Sequence, residues 1–148
     1  MTMWRQSIVT EARAWIGTPY VHQASCKGAG SDCLGLLRGI WRLLHDAEPE
    51  QVPAYTPDWA EPARDEVLLR AAVRWLVPKA PGVQDPGDIL LFRMREGSIA
   101  KHLGIAAEVG ARASFVHAYT GHGVIESPLS DPWARRIVAR FEFPEGVQ

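Results

Sequence analysis

The sequence predicts an α+β protein in which N-terminal helices pack on a C-terminal antiparallel sheet of about five strands. In the first half of the chain, apolar residues recur at helical spacing. After Pro86-Gly87 the pattern changes to short apolar or alternating runs separated by turn residues. Helices followed by strands are typical of α+β proteins. With 148 residues, 47% of them hydrophobic, and no internal repeat, we expect one domain spanning residues 1–148.

Three helices are predicted. The first ends before Gly17-Thr18-Pro19, the second opens at Asp32, and the third begins near Pro62 and ends before Pro78. Their apolar stripes are Trp4, Ile8, Ala12, Trp15 and Ile16; Leu34, Leu37, Ile40, Trp41 and Leu44; and Val67, Ala71 and Trp75. Five strands, expected to form an antiparallel meander, cover residues 88–92, 102–108, 113–119, 123–127 and 136–143.

The charge pattern excludes some classes of function. The net charge is −1, with 16 basic and 17 acidic residues mixed along the chain, so nucleic-acid binding is not expected. No apolar stretch approaches the length of a membrane span, and the N-terminus lacks a signal-peptide core. We therefore expect a protein made in the cytoplasm without Sec export, which another component would have to carry if it acts outside the cell.

The feature that most directly predicts chemistry is Cys33, in the first turn of the second helix. Asp32 is a suitable N-cap, and free backbone amides at a helix start stabilise a thiolate and can donate to an oxyanion. This reasoning predicts a lowered thiol pKa and a nucleophilic role. The alternative is a small buried hydrophobe, which is how many free cysteines behave.

Two histidines in apolar strands complete a candidate catalytic set. Alternation places His102 on one strand face with Gly104 and Ala106, where small residues leave room for a partner from a packed helix. If the next strand is an antiparallel neighbour, His117 can approach His102. We expect His102 to act as general base and His117 to hold it in the correct tautomer, whereas a lone strand histidine is more often a core residue.

Other candidate residues have two readings. Asp32 can serve as an N-cap or bind a substrate ammonium, and Tyr20 can belong to the core or donate its hydroxyl into a cleft. His22 could line that cleft, His45 suits the end of a helix, and His122 falls in a probable turn.

The two cysteines, Cys26 and Cys33, leave further alternatives open. They could form a small disulfide loop, although a permanent bridge would consume the nucleophile. A zinc site built from both cysteines, His102 and His117 lacks paired short ligand spacing. We expect no metal and no cofactor.

Five blocks between about residue 15 and residue 120 resemble the ordered signature blocks of NlpC/P60 peptidases. Most closely they resemble the compact phage-type members encoded with tail genes, including those of phage-like gene transfer agents. The blocks are Gly17-Thr18-Pro19-Tyr20, Asp32-Cys33-Leu34-Gly35-Leu36, Pro86-Gly87-Asp88-Ile89-Leu90-Leu91-Phe92, His102-Leu103-Gly104-Ile105 and Val116-His117-Ala118.

The resemblance implies a papain-like fold and hydrolysis of peptidoglycan stem peptides, typically between D-glutamate and a diamino acid. At the matching positions, Cys33 would be the nucleophile, His102 the base and His117 the orienting residue. Asp32 and Tyr20 match positions that in relatives contact the free amino end of the substrate or support the site.

Two departures from the family pattern bear on the substrate. Leu34 replaces the usual Ser after the cysteine, and Val21-His22-Gln23-Ala24 replaces the usual Trp-Gly-Gly. The phage-type subgroup carries similar changes. The prediction is a cell-wall endopeptidase associated with tail or hub proteins and acting in the periplasm or cell wall. The alternatives are a structural tail-hub component with a weakly active peptidase fold, and a thiol amidase or acyltransferase.

Overall fold

The computed structural model describes residues 2–50, 55, 66–80 and 82–145. Four helices and eight strands lie in these ranges, in an order that starts with helices and ends with strands, as predicted. They are α1 (Met3–Ala14), β1 (Ser25–Cys26), β2 (Gly30–Ser31), α2 (Cys33–His45), α3 (Val67–Trp75), β3 (Val77–Pro78), β4 (Ile89–Arg93), β5 (Ala100–Glu108), β6 (Ser114–Tyr119), β7 (Gly123–Pro128), α4 (Asp131–Ala134) and β8 (Ile137–Glu142). The predicted start of α3 at Pro62 lies outside the described residues.

The main sheet has six antiparallel strands in the order β3-β8-β4-β5-β6-β7. Strands β4 to β7 form the expected meander. The expectation that the last strand continues it was wrong, because α4 follows β7 and the chain returns across the sheet to pair β8 with β4. Strand β8 thereby covers the free edge of β4, whose side chains are almost all buried. The sixth strand, β3, is a two-residue edge pairing.

The first helix buries the face that the sequence predicts, except that Ile16 lies beyond its end and is exposed. In α2, Leu36 and Ile40 are fully buried in the main core. Leu36 was missing from the predicted stripe. The predicted residues Leu34, Leu37, Trp41 and Leu44 are only half-buried. The first three line a groove next to α3. Likewise, the most buried line of α3 is Leu68, Ala72 and the following Leu76, with the predicted residues beside it.

The two faces of the sheet carry different cores. Helix α2 packs on the face of Leu103 and Ile105, in the larger core. The opposite face carries Leu90, Phe92, Ala106 and Phe115, which pack against residues around α4. None of the helices in the described ranges is long and apolar enough to cross a membrane.

A buried carboxylate, Asp88, ties the N-terminal helix to the sheet. Its side chain has no solvent exposure and accepts hydrogen bonds from Arg5 (2.9 Å), Lys79 (2.8 Å) and Arg140 (2.8 Å). It also accepts one from the backbone amide of Asp85 at 2.8 Å. Because a buried charge is tolerated only when it is fully paired, this cluster is a structural reason for the acidic residue after Pro86-Gly87.

Candidate active site

Cys33 lies at the first position of α2, as the sequence predicts. The carboxylate of Asp32 caps the helix: its Oδ1 accepts the Gly35 amide at 2.8 Å. Gly35 has no room for a side chain, because a Cβ there would lie 1.9 Å from the carbonyl oxygen of Ala24. The backbone just before β1 therefore packs directly against the first turn of α2, next to Cys33.

The environment of Cys33 raises the pKa of its thiol to about 12, which corrects the expectation of a lowered value. Burial is the main cause, and the negative charge of Asp32 adds to it. The backbone amides of Leu103, Leu34 and Cys33 itself point at the sulfur and lower its pKa, as expected at a helix start, but they do not outweigh burial. In the resting state at neutral pH the thiol therefore keeps its proton.

His102 and His117 form a hydrogen-bonded pair between neighbouring antiparallel strands. His102 Nε2 and His117 Nδ1 are 2.7 Å apart, and both side chains are buried. Burial lowers the pKa of His102 to about 3 and that of His117 to about 4. Repulsion from His117 contributes at His102, and repulsion from His122 contributes at His117. Both imidazoles are therefore neutral at neutral pH.

The sheet face that carries the histidines is covered differently from the prediction. The space beside Gly104 is filled from within the sheet, because a Cβ there would lie 2.7 Å from the ring of Phe115. The ring of Trp133, from the short helix α4, packs over the pair, with centroids 5.8 Å from His102 and 5.3 Å from His117. This aromatic cover excludes water from one side of the imidazoles and so contributes to the burial that lowers their pKa values.

Sequence reasoning missed Ser127, which continues the chain of hydrogen bonds. Its Oγ lies 2.9 Å from His117 Nε2. Ser127 is on β7, opposite Phe115 in the ladder, and its side chain thus shares the sheet face of His117. The sequence signal was present but weak: a small polar residue at an inward position of a strand that alternates.

Cys33 and His102 line one open cleft of about 280 Å³ at the end of the strands. Tyr20 and Asp32 line it too, so the structure brings together four of the five predicted site residues around one space. The fifth, His117, stands behind His102. The other lining residues are His22, Tyr55, Met94, Lys101, Ala118, Tyr119 and Thr120.

Asp32 is almost fully buried and heavily engaged. Its Oδ1 caps α2, and its Oδ2 accepts the backbone amide of Gln23 at 2.7 Å and the hydroxyl of Tyr55. His22 Nδ1 lies 3.8 Å from the same oxygen. Gln23 takes a positive φ of 66°, and this backbone turn aims its amide at the carboxylate. The N-cap reading of Asp32 is confirmed, and its carboxylate remains at the wall of the cleft.

Tyr20 is half-buried and bridges to Ser31, next to the start of α2. Its hydroxyl is hydrogen-bonded to Thr120, and burial raises its pKa, so the phenol stays protonated. His22, which the sequence singled out only weakly, also lies at the cleft and contacts Tyr55 through its ring and through Nε2, 2.9 Å from the Tyr55 carbonyl oxygen.

The remaining candidates lie away from the cleft or take structural positions. His45 is in the last turn of α2, with Nε2 2.9 Å from the Pro144 carbonyl oxygen, and His122 stacks on Tyr119 in a turn. Cys26 is exposed in the β1–β2 hairpin, and both cysteines are free thiols, so the disulfide alternative was wrong. Within the described ranges, no three His, Cys, Asp or Glu side chains are grouped so that they could hold a metal ion.

The chain is similar to two curated bacterial proteins along most of its length. It is 29% identical over 140 residues to gamma-DL-glutamyl hydrolase of Bacillus subtilis, a match that covers 91% of this chain. It is also 29% identical over 143 residues to murein DD-endopeptidase MepS/murein LD-carboxypeptidase of Escherichia coli K12, covering 92% of this chain. The chain spans 29% of the length of the first relative and 64% of the second. No protein-family model matches it.

Comparison with solved structures identifies the fold. A Staphylococcus aureus protein described as similar to lipoprotein, NLP/P60 family, superposes with a TM-score of 0.62 at 19% identity. The match covers 96% of this chain and 42% of that protein. This chain therefore has the NlpC/P60 fold.

Proposed function

We propose that this protein is a cysteine endopeptidase that hydrolyses peptidoglycan stem peptides, between D-glutamate and the diamino acid. The observation that carries the proposal is the hydrogen bond of 2.7 Å between His102 and His117, in a cleft that His102 shares with Cys33. A thiol, a base and a group that orients the base are the parts that thiol acyl chemistry needs. The names of the two curated relatives, a glutamyl hydrolase and a murein peptidase, support the substrate class.

The first chemical step follows from the protonation states. Cys33 and His102 are both neutral at rest, so the thiol proton moves to His102 as the sulfur attacks the carbonyl carbon. Since Nε2 of His102 is engaged in the hydrogen bond with His117, the nitrogen that receives this proton is Nδ1. The backbone amides of Cys33 and Leu34, which point at the sulfur, donate to the oxyanion in this proposal.

The second half of the reaction returns the proton. The carbon–nitrogen bond breaks, and His102 gives its proton to the leaving amine, leaving a thioester on Cys33. A water molecule then loses a proton to His102 and attacks the thioester, and the thiol is regenerated as the acid product departs. Throughout these steps His117 holds the His102 ring in place through Nε2.

Asp32 and Tyr20 are assigned to substrate binding in this proposal. Asp32 keeps a carboxylate at the cleft wall, where an ammonium group of the stem peptide would find a negative charge. Its cap and loop contacts keep that charge in one position. The hydroxyl of Tyr20 lies at the same wall.

The proposal also places the enzyme on a phage or phage-like tail, where it opens the wall locally. Its support is the resemblance to the phage-type subgroup, with Leu34 after the cysteine and Val21-His22-Gln23-Ala24 after the Pro-Tyr block. Mass spectrometry of purified tail-bearing particles, from cells that encode the protein, is expected to detect it in amounts proportional to other tail proteins. Its absence from intact particles would contradict the tail role and leave the hydrolase proposal standing.

The enzymatic proposal is tested by digestion of purified diaminopimelate-type peptidoglycan. Wild-type protein is expected to release fragments with new amino ends on the diamino acid, identified by mass spectrometry, and Cys33→Ala is expected to release none. Cys26→Ala is the matched control: this thiol is exposed on the hairpin, so the variant should cleave like wild type. Cleavage of another acyl bond would favour the amidase alternative. No cleavage by folded, reduced protein would contradict the proposal and favour a structural tail component.

A further inference from the structure

We propose that Ser127 is a positioning residue for the reaction: it accepts a hydrogen bond from Nε2–H of His117 and so stabilises the protonated His102–His117 pair. The inference rests on the proposed cysteine chemistry, because it concerns how that chemistry accommodates the proton taken from the thiol. Among the residues that the structure describes, neither histidine has a carboxylate as its next partner, and the serine is the end of the hydrogen-bonded chain.

The geometry of the chain is continuous. His102 Nε2 lies 2.7 Å from His117 Nδ1, and His117 Nε2 lies 2.9 Å from Ser127 Oγ. His117 is fully buried, so in the folded structure the partner of Nε2 is the serine and not solvent. Register supports the contact: Ser127 pairs with Phe115, two residues from His117 on the same strand face.

Counting protons gives the direction of the last hydrogen bond. To receive the thiol proton, His102 must have a free lone pair on Nδ1, so its own proton is on Nε2 and is donated to His117 Nδ1. His117 then carries its single proton on Nε2, and the partner of that nitrogen must accept. The opposite tautomer, with Nδ1–H on His102, presents a proton to the thiol instead of a lone pair.

The requirement is the same after the thiol proton has moved. The pair then holds one extra proton, and wherever this proton resides, Nε2 of His117 still carries a hydrogen. A hydrogen bond from a cationic donor is stronger than one from a neutral donor, so Ser127 contributes most in the charged state. Buried imidazolium without such an acceptor would carry the whole cost of desolvation.

The hydroxyl hydrogen of Ser127 can point away from the histidine pair. It lines an open surface depression of about 860 Å³, together with residues of the neighbouring loops. Its O–H can therefore point to solvent while the oxygen accepts from His117. The nearest acidic side chain along the strand, Glu126, is engaged by Arg13 and Ser114 and does not compete for His117.

The test uses histidine tautomers and rates in matched variants. With ¹⁵N-labelled histidine, the wild-type NMR spectrum is expected to show His117 and His102 protonated on Nε2. Ser127→Ala is expected to shift His117 away from that tautomer and to lower kcat about tenfold or more with KM little changed, since a buried donor loses its acceptor. Ser127→Thr should restore both. Ser114→Ala is the control, because this neighbouring serine donates to Glu126 and not to the pair.

The outcomes separate this inference from the proposed function. Wild-type protein with His102 protonated on Nδ1, or Ser127→Ala with wild-type tautomers and a kcat within twofold, would overturn the role of Ser127. The tautomers are read without substrate. If wild type cleaves no peptidoglycan but the tautomers respond to Ser127→Ala and Ser127→Thr as expected, the substrate assignment fails and the serine role stands.

Discussion

Mild acid should destabilise this protein through the buried histidine pair. Each histidine has a pKa of 6.5 when exposed, lowered in the fold to about 3 at His102 and about 4 at His117. The lowered pKa values mean that the unfolded chain binds more protons than the folded one below pH 6.5. Stability is therefore fully present above pH 6.5 and is lost as the pH falls toward the folded pKa values.

The magnitude follows from the size of that window. Each pH unit below 6.5 lowers the free energy of unfolding by about 1.36 kcal/mol per histidine. At pH 5 the loss is therefore about 2 kcal/mol for each histidine and ~4 kcal/mol for both. Globular proteins of this kind have free energies of unfolding of about 5–15 kcal/mol. The loss is therefore a large part of the total, and it occurs above the range in which Asp85 and Glu126, whose pKa values are lowered by their cationic partners, begin to titrate.

The assay is urea unfolding between pH 7.5 and pH 5 with wild type and His117→Gln. Glutamine can accept from His102 through its carbonyl oxygen and donate to Ser127 through its amide, so the variant keeps the hydrogen bonds while removing one titrating group. Its loss between pH 6.5 and pH 5 should be about half that of wild type. His122→Gln, at an exposed turn, is the control and should keep most of the wild-type slope. A wild-type free energy of unfolding that changes by less than ~1 kcal/mol across this range would refute the reasoning.

Three further changes have outcomes fixed by contacts in the fold. Asp88→Asn should lower the free energy of unfolding by about 3–5 kcal/mol in urea titrations, because it leaves three cations around a neutral buried group; a loss below ~1 kcal/mol would contradict the buried network. In an exposed helix, Gly→Ala would raise the free energy of unfolding by about 1 kcal/mol. Gly39→Ala should instead lower it by about 1–3 kcal/mol, because the new Cβ would lie 2.1 Å from the buried ring of Trp15. A stabilised variant in the same titration would show that the ring can move. Asp32→Asn keeps an oxygen for the helix cap but removes the negative charge that raises the pKa of Cys33. The pH profile of Cys33 alkylation by iodoacetamide should therefore shift to lower pH. An unchanged profile would show that the charge does not act on the thiol.

The sequence predicts the site best where its signals are local. Asp32 before an apolar run marks the start of α2 and places Cys33 in the first turn. Alternation in two consecutive short strands is sufficient to bring His102 and His117 to one face, because a short connection makes such strands antiparallel neighbours.

The features that the sequence could not supply depend on contacts far apart in the chain. Trp133 covers the histidines only because α4 folds back over the sheet, and β8 pairs with β4 only because the chain crosses the sheet after α4. Ser127 reaches His117 through strand register, which one-dimensional spacing does not specify. The predicted direction of the Cys33 pKa shift was wrong for a related reason. Amides at a helix start can be inferred from a sequence, whereas the extent of burial is a property of the packed fold.

In the neutral resting state, the main energetic cost of the proposed reaction is protonation of the histidine pair rather than formation of a thiolate in advance. An ion pair formed in advance would need a thiolate, and burial together with the charge of Asp32 opposes one. In the proposed mechanism, His102 therefore takes the proton while the sulfur attacks, and the lowered pKa of His102, about 3, limits its ability to do so. Each hydrogen bond that stabilises the cation offsets part of this limit, first from His102 to His117 and then from His117 to Ser127. The same aromatic cover that lowers the histidine pKa values makes those hydrogen bonds stronger, because it keeps water from competing for them.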